Sequence, residues 1–144
     1  MKRFWLLSFL FLTVPQVFAR SAEVCPALPS GSGLEWTYSK GPDFDVCRAH
    51  ALGSDESAFG IYRGNHPSFH PERATRIGKG KVAGHRITWY RQDPGDSSSA
   101  LSRQTLLTLD RKWGYVAHIW VAADTEEQLA DRLSVLERIV FKVP

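Results

Sequence analysis

The spacing of apolar residues changes once along this chain, at Asp124. Before that residue, apolar and polar residues alternate in short runs separated by Gly, Pro, Asp and Ser, a pattern typical of half-buried strands joined by turns. After it, four apolar residues recur at intervals of four, three and four: Leu129, Leu133, Leu136 and Val140. This second spacing is that of one side of a helix. Strands followed by a terminal helix predict a two-layer α+β fold.

Six runs are predicted to form strands. They are Leu34–Ser39, Phe44–Ala51, Ala58–Arg63, Val82–Arg91, Leu101–Leu109 and Tyr115–Ala123. The last is apolar on both faces, which is typical of a strand in the centre of a sheet. Pro71–Gly80 and Gln92–Ala100 are predicted to be loops, the first with at most a short strand near Thr75–Ile77. We therefore expect a mostly antiparallel sheet of about five to six strands.

The helix is expected to cover one face of this sheet. Asp124 is predicted to cap its first turn, with Glu127 as the partner in a capping box. Its apolar side would then close the hydrophobic core. Because the chain contains no internal repeat or long linker, residues 34–144 are predicted to form a single domain, preceded by an irregular segment, 20–33.

The first nineteen residues have the pattern of a secretory signal peptide. Lys2 and Arg3 precede an apolar run, Phe4–Val14. Val17-Phe18-Ala19 then has small residues at the spacing of a cleavage site. Cleavage after Ala19 would place the protein in a periplasm or outside the cell, with no stable membrane span. An uncleaved anchor is the alternative, although the apolar run is short for a transmembrane helix.

The two cysteines, Cys25 and Cys47, both follow the predicted signal peptide. In an oxidising compartment they are expected to form a disulfide bond. A thiol redox pair is less compatible with the sequence because the two residues do not form a Cys-x-x-Cys motif.

A Pro-rich segment, residues 65–71, follows the third predicted strand, and we call it the Pro-rich loop. Each proline fixes its own backbone and restricts the histidine before it, in His66-Pro67 and in His70-Pro71. Phe69 would therefore sit on a stiff loop that loses little entropy on binding, as an aromatic anchor does. The alternative is that Phe69 packs into the core and the loop is a simple connection.

Positive charge is concentrated in residues 63–91. This segment has seven basic residues and one acid, Glu72, whereas the rest of the chain after Ala19 has nine basic and fourteen acidic residues. The asymmetry predicts a basic face with Arg63, His66, Phe69 and Arg73 as contacts. A protein or an anionic component of the cell envelope would be the partner. Nucleic acid is not expected, because of the compartment and the small net charge.

The sequence offers little for catalysis. It contains no G-x-S-x-G, P-loop or dinucleotide-binding motif, and we assign no catalytic residue and no cofactor. His66 and His70, with His85 or Glu72 as a third ligand, are the candidates for a metal site. The prediction is therefore an exported, non-enzymatic binding protein, such as an inhibitor or immunity-type partner of an envelope-acting enzyme or toxin. A small envelope hydrolase or metal-binding protein, and a module that binds an anionic envelope polymer, are the alternatives.

Overall fold

A computed structural model describes residues 23–92 and 100–142 of the chain. The predicted signal peptide and most of the predicted loop Gln92–Ala100 lie outside the described residues. Seven strands and one helix follow in order: β1 (Leu34–Lys40), β2 (Asp45–Ala51), β3 (Ser57–Gly64), β4 (Arg76–Val82), β5 (His85–Arg91), β6 (Arg103–Asp110), β7 (Tyr115–Val121) and α1 (Glu126–Arg138).

The described strands form one antiparallel sheet in the order β1-β2-β3-β7-β6-β5-β4. The central position of β7 agrees with its apolar sequence. A single sheet with one C-terminal helix confirms the predicted two-layer α+β fold. No helix within residues 23–92 and 100–142 is long and apolar enough to cross a membrane.

The sheet has one strand more than predicted, and that strand is β4. Pro71–Gly80 was predicted to be a loop, but β4 begins at Arg76 and ends at Val82, where the turn at Ala83 and Gly84 leads into β5. β4 contains two glycines on its core side, so it lacks the apolar alternation that indicates a strand. The ring of Trp89 occupies the space where Gly80 would carry a side chain.

The core lies between the sheet and α1. Phe59, Ile61, Ile119 and Val121, from the two neighbouring strands β3 and β7, are fully buried there. On α1, Leu136 is also fully buried, and its backbone oxygen accepts a hydrogen bond from the turn between β4 and β5. We call the side of the sheet that α1 covers the helix face, and the other side the open face.

The ends of α1 differ from the prediction by one residue or more. The N-cap is Thr125, not Asp124: its hydroxyl accepts a hydrogen bond from the backbone N–H of Gln128 (3.2 Å). The side-chain oxygen of Gln128 in turn accepts one from the Asp124 N–H (3.0 Å). At the other end, Val140 lies beyond the helix and is 61% exposed, while Ile139 is buried in its place.

The predicted disulfide bond between Cys25 and Cys47 is present. It ties the segment before β1 to β2, inside the sheet. Two further contacts hold the same segment. The indole N–H of Trp36 donates to the Pro26 carbonyl (2.8 Å), and Ala27 forms an antiparallel bridge with Val140. This segment is therefore fixed to the domain on several sides.

Candidate binding surface on the open face

Aromatic side chains line the middle of the open face. Phe69 stacks on the ring of His118 with 5.3 Å between the ring centroids, and it also contacts Tyr90 (5.6 Å). Trp120 continues the cluster on the other side of His118. The indole of Trp120 lies flat over Gly60, where any side chain would collide with it, so this glycine is required by the packing.

Phe69 packs against the sheet instead of projecting into solvent. Its side chain is 9% exposed. Neither alternative left open by the sequence holds in full: Phe69 is buried, but it packs on the open face and not in the core between the sheet and α1. The ring therefore anchors the Pro-rich loop to the open face.

The loop lies across the open face and is fixed at several points besides Phe69. The His66 N–H donates to the hydroxyl of Tyr62 (3.1 Å), and the side-chain amide of Asn65 donates to the Trp113 carbonyl (2.9 Å). The loop ends in a short 3₁₀ turn, Arg73–Thr75. The loop lies between two clefts on the open face, and its residues line both of them.

The first cleft, of about 370 Å³, contains the buried imidazole of His118. Burial lowers the pKa of His118 to about 4, so the ring is neutral at pH 7. Its Nε2 lies 3.0 Å from Oε1 of Gln104, to which a neutral ring protonated at Nε2 donates. Within the described ranges no hydrogen bond joins His118 to a hydroxyl group.

The second cleft, of about 360 Å³, is basic. Lys79 and Arg86 line it together with Tyr90 and Pro71. Lys81 lies opposite Arg86 in the sheet, and Lys79 lies opposite Thr88, so the side chains of all three basic residues lie on the open face. With the two arginines that precede them they form what we call the basic surface: Arg73, Arg76, Lys79, Lys81 and Arg86, all exposed.

Negative charge is concentrated on the other side of the molecule. Five exposed acids lie on α1 or just before it: Asp124, Glu126, Glu127, Asp131 and Glu137. None of the basic-surface residues takes part in the two ion pairs of the described chain, which are His50–Glu35 and Arg132–Glu56. Although α1 also has two arginines, Arg132 and Arg138, acids outnumber them on this side, whereas the five residues of the basic surface lie on or beside the open face.

The basic cleft lies where the sheet is split. β5 and β6 pair only at Tyr90–Gln104 and Arg91–Arg103, and beyond these pairs they separate. The hydroxyl of Thr105 donates to the Thr88 carbonyl (2.6 Å) near the point of separation. This split cannot be predicted from the sequence, because both strands have ordinary apolar alternation.

The predicted contact residues do not lie together. His66, Phe69 and Arg73 are on the loop over the open face, whereas Arg63 is on the helix face, where its guanidinium donates to the Val24 carbonyl. Alternation along β3 explains this, since Tyr62 and Arg63 are neighbours and must face opposite sides. Lys79, Lys81 and Arg86 belong to the basic segment of the sequence but are not among the predicted contact residues. The Lys-x-Lys spacing of Lys79 and Lys81 is the sequence signal that places both side chains on one face of a strand.

The candidate metal ligands are also separated. His66 and His70 are exposed on the loop, and His85 begins β5 beside the turn that contacts α1. Among residues 23–92 and 100–142, no three His, Cys, Asp or Glu side chains are grouped so that they could hold a metal ion.

No protein-family model matches the sequence, and no curated protein or solved structure is significantly similar to it.

Proposed function

We propose that this protein is an exported, non-enzymatic binding protein that holds the acidic surface of a partner protein on its basic surface. The partner would be an envelope-acting enzyme or toxin, with this domain as its inhibitor or immunity-type partner. The observation that supports the proposal is the segregation of charge. Five exposed cations lie on or beside the open face, and five exposed acids lie on the helix side.

The physical advantage of this arrangement is orientation. Charge of one sign on one face attracts an oppositely charged partner and orients it during the encounter. The acidic helix would repel the same partner, so only one side of the domain would be offered to it. A loop stiffened by Pro67 and Pro71 and fixed by Phe69 would lose little entropy on contact.

The test is an affinity capture with charge-reversed variants. The protein is immobilised, an envelope extract of its own cell is passed over it at moderate salt, and the retained protein is identified. Lys79→Glu/Arg86→Glu reverses two charges of the basic surface. Lys40→Glu/Arg138→Glu is the matched control, since Lys40 ends the opposite edge strand and Arg138 ends α1.

We expect one dominant protein that is retained by the wild type and by the control. The affinity of the purified pair should fall at least tenfold in the basic-surface variant, and it should fall as salt is raised. Equal affinity of the two charge-reversed variants for that protein would refute the proposal. Salt-sensitive retention of an anionic polymer without any protein would support the polymer-binding alternative instead.

A further inference from the structure

A largely apolar cavity of about 690 Å³ lies on the helix face, beyond the end of α1. Leu107 and Leu109 of β6 and Tyr115 of β7 form one wall. The other wall is the segment 139–142, which follows the helix. The volume is within the range of natural small-molecule sites, roughly 300–1,000 Å³.

The cavity exists because two elements stop short. α1 ends at Arg138, so its last turn does not reach the end of the sheet at the β6–β7 connection. β5 has separated from β6 at the same end, which leaves His85 and Leu107 on opposite sides of a gap. Apolar surface is therefore left uncovered, and Trp113 at the rim is 68% exposed.

Arg63 supplies a cation to this apolar space. One of its terminal nitrogens donates to the Val24 carbonyl, and its guanidinium lies 5.9 Å from the centre of the Tyr115 ring. Its Nε is buried and has no hydrogen-bond partner in the described part of the chain. A buried donor without an acceptor is unfavourable. Arg63 also lines the cavity, where an anion would pair with its charge.

No carboxylate of the described chain neutralises Arg63. Asp45 lies opposite it in the sheet, but Oδ1 of that residue accepts from the Tyr38 hydroxyl (2.6 Å), and the pair is not among the ion pairs of the described residues. Asp110 also lines the cavity. Its Oδ1 accepts hydrogen bonds from two backbone N–H groups of the turn that follows. Lys142 adds a second cation at the rim.

We propose that this cavity binds a single-chain amphiphile with a carboxylate head, the chemistry of a fatty acid. The head would lie against Arg63, and the alkyl chain would cover Leu107, Leu109 and Tyr115. The site is on the opposite face from the basic surface, so it does not depend on the function proposed above. Lys79→Glu/Arg86→Glu should therefore leave this binding unchanged.

The test compares two probes of equal chain length, decanoate and decanol, by calorimetric titration of the protein purified from the cells that export it. Saturable binding of decanoate is expected, at least tenfold tighter than that of decanol. Arg63→Gln should bring the two affinities within twofold of each other without weakening decanol. Arg111→Gln, which removes an exposed arginine outside this cavity, is the matched control and should behave as the wild type.

A second variant keeps the proposal testable if Arg63→Gln does not fold. Leu109→Trp would fill the apolar end and should abolish binding of both probes while Arg63 is retained. Failure of the wild type to bind decanoate, as when a segment of the chain itself fills the cavity, would overturn the proposal. So would equal affinity for the two probes. Dimerisation that Leu109→Trp abolishes, without binding of either probe, would assign the cavity to a second copy.

Discussion

The buried imidazole of His118 should make stability depend on pH. Burial lowers its pKa from 6.5 to about 4, so between these values the unfolded chain binds a proton that the folded protein does not. The contribution of His118 to the free energy of unfolding must therefore fall as pH decreases through this window and level off below about pH 4. At about 1.4 kcal/mol per pKa unit, we expect His118 to account for a loss of up to about 3 kcal/mol.

His118→Gln isolates this contribution. Urea unfolding of both proteins at pH 7, 5.5 and 4 gives the free energy of unfolding, and the carboxylates contribute equally to both. The wild type should lose more stability than the variant between pH 7 and pH 4. The same loss in both proteins would mean that His118 is not the residue that titrates.

At the level of single elements, two neighbouring residues at the start of α1 have different roles in capping the helix. Thr125 accepts a backbone hydrogen bond with its side chain, whereas Asp124 contributes its backbone N–H. Thr125→Ala should therefore lower the free energy of unfolding by about 1 kcal/mol, the usual value of an N-cap. Asp124→Ala should cost a few tenths of a kcal/mol through the helix dipole.

Urea unfolding at pH 7 distinguishes the two variants. The two alanine changes remove side chains of similar exposure at adjacent positions, so each is a control for the other. A larger loss for Asp124→Ala would restore the capping pattern expected from the sequence and contradict the hydrogen bonds seen here.

Periodicity predicted the elements whose own side chains form the core. Phe59 and Ile61 alternate along β3, and the spacing of Leu129 and Leu136 marks α1. β4 could not be predicted in this way, because the side chain over Gly80 belongs to Trp89 on the next strand. The fold class was therefore predictable, and this edge strand was not.

The candidate site was predictable in its charge but not in its geometry. The run of basic residues between 63 and 91 is visible in the sequence, and five of its seven members form the basic surface; Arg63 and Arg91 do not belong to it. Alternation could have placed Arg63 on the other face from Tyr62. The sequence could not show that Phe69 packs against the sheet, because a loop has no regular alternation of buried and exposed residues. Nor could it show that β5 separates from β6.

At the scale of the whole molecule, the segment before β1 connects distant parts of the fold. Cys25 is bonded to β2, Pro26 accepts from Trp36 of β1, and Ala27 bridges to Val140 after the helix. Val24 accepts the hydrogen bond of Arg63 at the cation end of the helix-face cavity. The disulfide bond therefore fixes to β2 a segment that also contacts β1, the residue Val140 after the helix and one end of that cavity.

Reduction of the disulfide bond should therefore lower the free energy of unfolding. The bridge joins residues 22 apart in sequence, and closing a loop of this size is worth about 3 kcal/mol through the entropy of the unfolded chain. We expect the free energy of unfolding, measured in urea with and without a reductant, to differ by about this amount. Cys25→Ser/Cys47→Ser should match the reduced wild type and be insensitive to the reductant. If the wild type were equally stable in both conditions, the other contacts of residues 24–27 would suffice to hold the segment, and the bridge would not be what stabilises this end of the molecule.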